Sequence, residues 1–461
     1  MKRIISILSF ALILNASSTL DSINLEQALD ILKQENLEIK AAKYDIDAAK
    51  EEAKSVSGMN WGKLDFTQDV ARSNDAGNVF GFKLTSREAN FGDFGADEFM
   101  NNFGACQGGD MSACSDMYNK PPDELNYPDD RNFFQSKLKY EVPLFTGFAI
   151  SSYTDIMNEM TKMKTLERDE VVNEKRYQLK KSFYDMALLE NSIKNLNNIL
   201  NNISKLEDMT KNMIEVGYAK HVDLLEVKAK KGNVERLLLQ MKANKELLYH
   251  YISFLLNTKV TNIITPSSEI DMLTYTDEEI LNKNLDIQKA STGLKIRKDM
   301  LTASEAAYYP TVGAFGELAT ADDSFLGDAN DHKAYTVGAR LTWNLFNGGI
   351  DSAKIEKSKI EHLKMASQVE LAKHGIALKL AKIRTEIKSA DDEIASLEKE
   401  LDLADAIYKN YEGRYREKLA SMSDVIIKQS AQIQKILQLQ VAKNKRNEKV
   451  FALEKLANGD K

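Results

Sequence analysis

Residues 334–345 read Ala-Tyr-Thr-Val-Gly-Ala-Arg-Leu-Thr-Trp-Asn-Leu. Alternate positions form an apolar set, from Tyr335 to Leu345, and a small or polar set that includes Arg340 and Asn344. This period of two predicts a β-strand with one apolar face. The length suits a transmembrane β-strand, which needs about 9–11 residues.

Three further strands are predicted. Residues 134–143 alternate in the same way, whereas 63–72 and 311–319 alternate more weakly. A soluble sandwich with one wet face would produce the same pattern, but it needs a second sheet, and the remaining chain has a helical pattern. We therefore expect a four-stranded sheet whose apolar face contacts lipid.

The opposite face of this sheet is charged, which predicts a water-filled lumen. The expected lumen residues are Lys137, Lys139, Glu141 and Arg340. Aromatic residues close to the ends of the strands predict a membrane interface, where Trp and Tyr are enriched. These aromatic residues are Trp61, Tyr140, Tyr309 and Trp343.

Four strands cannot close a barrel by themselves. An open sheet in lipid leaves rows of unpaired backbone groups, and each such group costs several kcal/mol. Other copies of the chain must therefore complete the sheet. Three copies would supply twelve strands, and the apolar face of each would contact membrane lipid.

The chain contains an internal duplication. Residues 36–39 resemble 284–287, and residues 144–147 resemble 345–348. The two sequence offsets differ, which places extra residues of the first half between 62 and 143. This insertion carries the two cysteines of the chain and is predicted to be a long surface loop.

The rest of the chain has helical patterns. Residues 148–216 and 349–417 are free of proline, and each predicts one very long helix. Apolar residues at alternating steps of three and four, from Leu196 to Leu206 and from Ile394 to Tyr415, are typical of coiled-coil seams. Shorter helices are predicted over 24–60, 223–257, 278–307 and 424–457. When these shorter helices are paired end to end, each pair matches one long helix in length, so together they would form a helical wall. The segment 258–277 and the C-terminal tail would lie near the middle of this wall.

The N-terminus predicts export. Met1-Lys2-Arg3 is basic, residues 4–14 are apolar, and Ala16-Ser17-Ser18 offers a cleavage site, so residues 1–18 are interpreted as a signal peptide. A buried core helix is the alternative, but polar residues follow at once. In an oxidising compartment, Cys106 and Cys114 are expected to pair, although free thiols are the alternative.

Several functions are disfavoured by composition. The 62 basic and 69 acidic residues give a net charge of −7, which argues against nucleic-acid binding. The five histidines lack metal-ligand spacing and are expected to be solvated, and no catalytic motif is present. We therefore expect no enzyme activity, no cofactor and no metal.

Taken together, the order of motifs resembles the TolC-like outer-membrane efflux proteins. The resemblance rests on the signal peptide, the duplication, residues 142–147 and 343–349, and the paired turns at 216–223 and 417–424. It implies a mostly α-helical chain with a membrane β-barrel, a trimer with a coiled-coil periplasmic tunnel, and the cell outer membrane as the location. It also implies docking to a periplasmic adaptor and an inner-membrane pump, and passive export through the duct.

The resemblance also assigns a role to each segment. The segments are the signal peptide (1–18), periplasmic helices (19–60), strands one and two with an extracellular loop (61–147), a helical hairpin with its tip near 217–223 (148–257), an equatorial linker (258–277), a periplasmic helix (278–308), strands three and four (309–348), and a second hairpin with its tip near 418–424 and a C-terminal tail (349–461).

The resemblance implies site residues at the two hairpin tips. Asp424 matches the pore-constricting aspartate, and Asp223 with Tyr415 matches a pair that links neighbouring hairpins in the closed state. The adaptor-contacting residues are expected to be Val216, Gly217, Tyr218, Lys418 and Leu419.

This chain departs from the family pattern at the tips, because Lys418 replaces the second glycine, Ala420 a linking arginine and Ile427 a second aspartate. Other pairs are therefore expected to hold the gate, through Arg414 or Arg416. Both aspartates are also expected to act as helix N-caps.

Two other functions fit parts of the sequence. An exported coiled-coil scaffold or adhesin would keep the helices but needs no alternating, aromatic-flanked strands. The periplasmic adaptor itself needs a soluble β domain and only one helical hairpin, whereas this chain has two equivalent hairpins. The exported cargo, which could be a drug, a metal ion or a protein, is not specified by the sequence.

Overall fold

The computed structural model describes residues 20–266, 270, 275–325 and 332–458. The predicted signal peptide (1–18), parts of the predicted linker (258–277) and residues 459–461 lie outside this part of the chain. The described residues form two compact units. One is drawn from the described residues within 1–50, 159–296 and 363–461, and the other from those within 51–158 and 297–362.

Helices account for most of the fold, as the sequence predicts. Both long helices are present as single elements of 67 residues, α7 (Ala149–Glu215) and α11 (Ile350–Arg416). Each is followed by a return helix, α8 (His221–Leu256) and α12 (Met422–Leu456) respectively. The two halves of the chain thus each contribute one helical hairpin.

The helices predicted over 24–60 and 278–307 are each interrupted by an asparagine. In the first half, α1 (Leu25–Glu35) and α2 (Leu37–Gly58) are separated by Asn36, whose backbone ψ of 125° is extended. In the second half, α9 (Asp277–Lys283) and α10 (Leu285–Glu305) are separated by Asn284, with ψ of 127°. The prediction of two unbroken helices was therefore wrong at these positions.

Equivalent hydrogen bonds hold Asn36 and Asn284, and they explain why the two helical segments are interrupted there. Asn36 Nδ2 donates to the Leu255 carbonyl at 2.8 Å, and Asn284 Nδ2 donates to the Leu456 carbonyl at 3.0 Å. Each side-chain oxygen accepts backbone N–H groups from the start of the following helix. A buried asparagine thus caps one helix and ties it to another. The repetition of this contact confirms the internal duplication.

One antiparallel sheet contains all four predicted strands, in the order β1 (Lys63–Ser73), β2 (Arg131–Phe145), β3 (Thr311–Asp322) and β4 (Lys333–Thr342). The outer edges of β1 and β4 have no partner strand among the described residues. The strand predicted over 334–345 ends early, at Thr342. Just beyond that end, the Trp343 indole N–H donates to the Tyr308 carbonyl at 3.2 Å.

The insertion between β1 and β2 is helical, so the prediction of a long loop was wrong. It forms α3 (Ala76–Thr85), α4 (Ala96–Gln107), α5 (Met111–Asn119) and α6 (Asp123–Asn126). Asp75 and Asp110 cap α3 and α5 by accepting backbone N–H groups, a signal that short helices need. The expected disulfide between Cys106 and Cys114 joins α4 to α5.

The helical unit has three apolar clusters. One lies below the hairpin tips and combines residues of α7, α8, α11 and α12. The predicted seam residues Leu196, Ile199, Ile203 and Leu206 are all buried within it. No helix among residues 20–266, 275–325 and 332–458 is both long and apolar enough to cross a membrane.

Candidate functional site: the hairpin tips and the two-faced sheet

The first hairpin tip is a Schellman turn. Tyr218 N donates to the Met213 carbonyl at 2.7 Å, and Gly217 N donates to the Ile214 carbonyl at 3.0 Å. Gly217 has φ of 78°, a left-handed conformation that glycine adopts without a Cβ penalty. Val216 and Tyr218 are 64% and 62% exposed, so the tip presents two large side chains to its surroundings.

The second tip repeats this turn without a glycine. Leu419 N donates to the Arg414 carbonyl at 2.7 Å, and Lys418 N donates to the Tyr415 carbonyl at 3.0 Å. Lys418 takes the left-handed position with φ of 64°, which is strained for a residue with a Cβ. Leu419 is exposed. The departure from glycine therefore changes the side chain at the tip but not the type of turn.

Asp223 and Asp424 occupy equivalent places in the two hairpins. Contrary to the prediction, neither of them is the N-cap residue of its helix. The N-caps are Lys220 and Ser421, and Asp223 and Asp424 are the third residues of their helices. Each carboxylate reaches back to accept the N-cap backbone N–H, at 2.8 Å from Lys220 and 3.1 Å from Ser421. This hydrogen bond is the carboxylate half of a capping box, and it stabilises the first turns of α8 and α12.

The Asp424 carboxylate accepts a second hydrogen bond, which Asp223 lacks among the described residues. Ser421 Oγ donates to its carboxylate at 2.6 Å and accepts the Asp424 backbone N–H at 3.2 Å. Hydrogen bonds from the Ser421 side chain, and then from its backbone, hold the pKa of Asp424 below the ordinary value. Asp424 therefore keeps its negative charge under mildly acidic conditions.

Tyr415 and Asp223 belong to different hairpins of the chain. Tyr415 is 4% exposed and packs in the apolar cluster below the tips. Burial raises the pKa of the Tyr415 phenol, and the negative charge of Asp223 raises it further. Tyr415 Oη is buried and makes no hydrogen bond to Asp223 within the described residues, so the pairing of these two residues between neighbouring hairpins stays a prediction.

Contacts between the two hairpins are made by residues that the sequence did not single out for this role. The Lys418 ammonium lies 3.2 Å from the centre of the Tyr218 ring, a cation–π contact. Ser423 Oγ donates to the Glu226 carboxylate at 2.8 Å. Lys230 Nζ donates to Ser430 Oγ at 2.7 Å. The only signal in the sequence for these contacts is the equivalence of the turns at 216–223 and 417–424, which places both turns at the same end of the two hairpins.

The arginines expected to hold the gate contact their own hairpin instead. Arg416 pairs with Glu412 one turn earlier in α11, at 2.6 Å. Arg414 lies over the Tyr411 ring and donates to the Leu419 carbonyl at 3.4 Å. Within the described residues, both arginines thus contact their own hairpin, and their role in holding the gate stays a prediction.

A groove of about 680 Å³ runs beside the hairpin contacts, between α8, α11 and α12. Its floor is apolar, and its rim carries Lys230 and the ion pair between Lys435 and Glu400. Partial burial lowers the pKa of Lys230. The groove therefore combines an apolar floor with charged residues at the edge, as protein-docking surfaces do.

One face of the sheet is charged, and the predicted lumen residues share it. Lys139 is paired in register with Asp65 and Glu317, and Glu317 is paired with Thr336. Lys139 Nζ lies 2.7 Å from Glu141. On the same face, Lys137 Nζ lies 3.7 Å from Glu317, and the Arg340 guanidinium lies 5.9 Å from the Phe315 ring centre.

The opposite face of the sheet is apolar and exposed. Leu64, Tyr140, Gly316 and Val337 form one row across the strands, and Phe66, Leu138, Leu318 and Tyr335 form the next. Phe66 is 68% exposed, Tyr335 78% and Val337 77%. Soluble sheets bury such a face.

The four predicted interface aromatics lie toward one end of the sheet, where β1 and β3 begin and β2 and β4 end. Tyr140 Oη donates to the Trp61 carbonyl at 2.7 Å, which fixes the phenol against the segment that precedes β1. Trp61 is 80% exposed, and Tyr309 and Trp343 are also exposed. These side chains combine a large apolar ring with a polar group, as residues at a membrane surface do.

Comparisons with known proteins agree on the fold. Residues 278–459 match the family model described as outer membrane efflux protein. The chain resembles a structure of CusC with a TM-score of 0.76 and 11% identity over 95% of this chain and 92% of that one. It resembles the outer membrane protein VceC of Vibrio cholerae with a TM-score of 0.73 and 13% identity over 94% and 96% of the two chains.

The MtrE outer membrane channel of Neisseria gonorrhoeae, in its open state, has a TM-score of 0.71 and 14% identity over 94% of this chain and 89% of that one. No curated protein matches the sequence significantly. The resemblance to TolC-like outer-membrane efflux proteins is confirmed, by the family model over residues 278–459 and by the fold over nearly all of the chain.

Proposed function

We propose that this chain, which carries an outer membrane efflux protein region at 278–459, is one protomer of a trimeric outer-membrane channel-tunnel. The trimer provides the passive exit duct of a tripartite efflux pump or type I secretion system. An adaptor and an inner-membrane pump open it at the periplasmic end. The observation that carries this proposal is the sheet with one charged and one exposed apolar face.

The apolar face favours lipid over water. Burying one large apolar side chain contributes roughly 1.5–3 kcal/mol, so a row of such side chains is costly in water. Phe66, Leu318, Tyr335 and Val337 are each more than half exposed in the single chain. Hydrocarbon covers them without a second sheet, while the charged residues on the other face line a water-filled lumen.

The open sheet edges support a trimer. The outer edges of β1 and β4 carry backbone groups that need partners in hydrocarbon, where each unpaired group costs several kcal/mol. Pairing of β4 from one copy with β1 from the next satisfies both edges. The unpaired edges therefore require neighbouring copies, and three copies would close a barrel of twelve strands.

The hairpin tips support a gated periplasmic entrance. A threefold arrangement of Asp424 places three carboxylates at one constriction, which attracts cations and repels anions. The exposed Val216, Tyr218 and Leu419 side chains offer apolar contacts to an adaptor. The groove between α8, α11 and α12 is a second docking surface, since its charged rim can select a partner.

A matched pair of substitutions tests which face contacts lipid. Val337→Lys places a charge on the apolar face, and Thr336→Lys places the same charge on the charged face opposite Glu317. A lysine facing mid-bilayer hydrocarbon costs roughly 2–4 kcal/mol. We expect V337K to abolish insertion into lipid vesicles and T336K to insert like the wild-type protein.

The opposite ranking, or equal insertion by both variants, would contradict the assignment of the faces. The alternative of an exported helical scaffold makes a different prediction. A scaffold would remain soluble without detergent and would not conduct ions in a planar bilayer, whatever residue occupies position 337.

A further inference from the structure

A cluster of three metal-ligating side chains lies at the end of the sheet opposite the interface aromatics. Asp322 is the last residue of β3, and His332 precedes the first residue of β4. Glu88 follows α3 in the helical insertion. One ligand atom from each of the three side chains lies within 4.8 Å of the other two.

The sheet register brings the first two residues together. Thr320 of β3 is paired with Lys333 of β4, so Asp322 and His332 lie just beyond the last pair, on adjacent strands. Arg131, at the start of β2, brings the third residue close through an ion pair with the Glu88 carboxylate. The helical insertion, the start of β2 and the adjoining ends of β3 and β4 thus meet at one point.

The His332 ring lacks a partner on one nitrogen. Its Nδ1 is buried and makes no hydrogen bond to any residue that the structure describes. The nearest Asp322 oxygen lies 4.0 Å away, beyond hydrogen-bond range, and the two side chains are only 13% and 8% exposed. A buried polar atom that makes no hydrogen bond destabilises the fold, so this position favours a ligand.

We propose that Glu88, Asp322 and His332 bind a divalent transition-metal ion of the Zn²⁺ class. Imidazole with carboxylates suits zinc, manganese or cobalt, whereas calcium and magnesium prefer oxygen ligands alone. Two ligands of one zinc ion, each about 2.0–2.2 Å from it, lie no more than roughly 4.4 Å apart. The separation of 4.0 Å between His332 Nδ1 and Asp322 Oδ2 meets this limit.

Glu88 can serve as a ligand and keep its present partners. Both Arg131 and Ser86 contact its Oε2 atom. A carboxylate has two oxygens with about four lone-pair sites, so Oε1 remains for the cation. The positive charge of Arg131 weakens cation binding but orients Glu88, as residues behind metal ligands do.

A bound ion would cross-link the helical insertion to the sheet, because its ligands come from both. Glu88 belongs to the insertion, whereas Asp322 ends β3 and His332 directly precedes β4. The structural role is thus separate from the proposed export function, and its test does not depend on channel activity.

Zinc binding to the full-length protein in detergent tests this site. After chelator treatment and dialysis, a competition titration with a chromophoric zinc indicator measures affinity, and Co²⁺ substitution gives a visible absorption band that reports the ligands. We expect one tight site per chain in the wild-type protein. His332→Ala and Glu88→Gln should each weaken Zn²⁺ binding at least tenfold and remove the Co²⁺ band. His374→Ala, which removes an exposed histidine of α11, should change neither.

Protease protection of the insertion provides a second measurement. Zn²⁺ should slow cleavage within residues 74–130 of the wild-type protein several-fold, and it should have no effect on H332A. If the wild-type protein binds no Zn²⁺ or Co²⁺ at micromolar concentrations, the site does not exist. Undiminished binding by a folded H332A and a folded E88Q would likewise overturn the proposal. Should one variant fail to fold, the other decides the result.

Discussion

The Lys418 ammonium lies 3.2 Å from the centre of the Tyr218 ring, which joins the tips of the two hairpins within one chain. Lys418 occupies the turn position where the family has a glycine, and Tyr218 is the matching neighbour in the first tip. The chain therefore replaces a small residue by one whose charge reaches the other hairpin. This contact is the first candidate for holding the tips together.

We expect loss of this contact to favour the open channel. Lys418→Met keeps the left-handed strain and removes the charge, and Tyr218→Leu removes the ring. An exposed cation–π contact contributes about 0.5–1 kcal/mol, so each change should raise the ratio of open to closed channels roughly two- to fivefold in single-channel recordings. Tyr218→Phe keeps the ring and should behave like the wild type. Additive effects of K418M and Y218L in the double variant would show that the pair is not coupled.

Asp424 should set the ion selectivity. Its carboxylate is partly exposed at the start of α12, and the trimer would bring three copies together. Asp424→Asn removes the charge and leaves a side-chain oxygen for the capping bond, so reversal potentials in a salt gradient should show a weaker cation preference. Asp424→Glu is the matched control and should retain it. Selectivity that is unchanged in D424N would place Asp424 outside the pore.

The pH dependence of selectivity follows from the lowered pKa of Asp424. A carboxylate with a lowered pKa in the folded protein stabilises the fold above its unfolded pKa of about 3.9, and this contribution is lost as the pH falls through the folded-state value. Cation preference and tip order should therefore persist at pH 5 and decline only below about pH 3.9.

Ser421→Ala removes the donor that lowers this pKa most. The midpoint of the selectivity loss should then move to higher pH, towards the ordinary aspartate value. Hydrogen exchange at the start of α12 should follow the same curve. A midpoint that does not respond to S421A would mean that another group controls selectivity.

The duplicated asparagines should contribute equally to stability. Asn36→Ala and Asn284→Ala each remove a bond to a helix carbonyl and a helix cap, which together are worth about 2 kcal/mol. We expect similar decreases in the free energy of unfolding of the helical unit. Asn202→Ala, on an exposed turn of α7, should change it by less than about 0.5 kcal/mol. A large difference between N36A and N284A would contradict their equivalence.

The hydrophobic pattern was sufficient to predict the main elements. The alternation over 334–345 and 134–143 located two strands, and the unbroken runs of 148–216 and 349–417 located the long helices. These patterns arise because each element buries or exposes one face along its whole length. The disulfide also followed, since two cysteines close in sequence have few alternatives in an exported chain.

The remaining features depend on contacts between distant residues. Asn36 interrupts a helical pattern because the Leu255 carbonyl lies across from it, which no local pattern reveals. Helices α3 to α6 were missed because short capped segments lack a long period. The Lys418–Tyr218 contact and the cluster of Glu88, Asp322 and His332 also escaped prediction, because their members come from separate hairpins or strands.

The mass of the protein in detergent tests the central claim most directly. The unpaired edges of β1 and β4 predict that no single chain is complete in a membrane. Light scattering, corrected for bound detergent, should give three chains per particle, with the β content retained. A monodisperse single chain that stays soluble without detergent and keeps its β content would contradict the account.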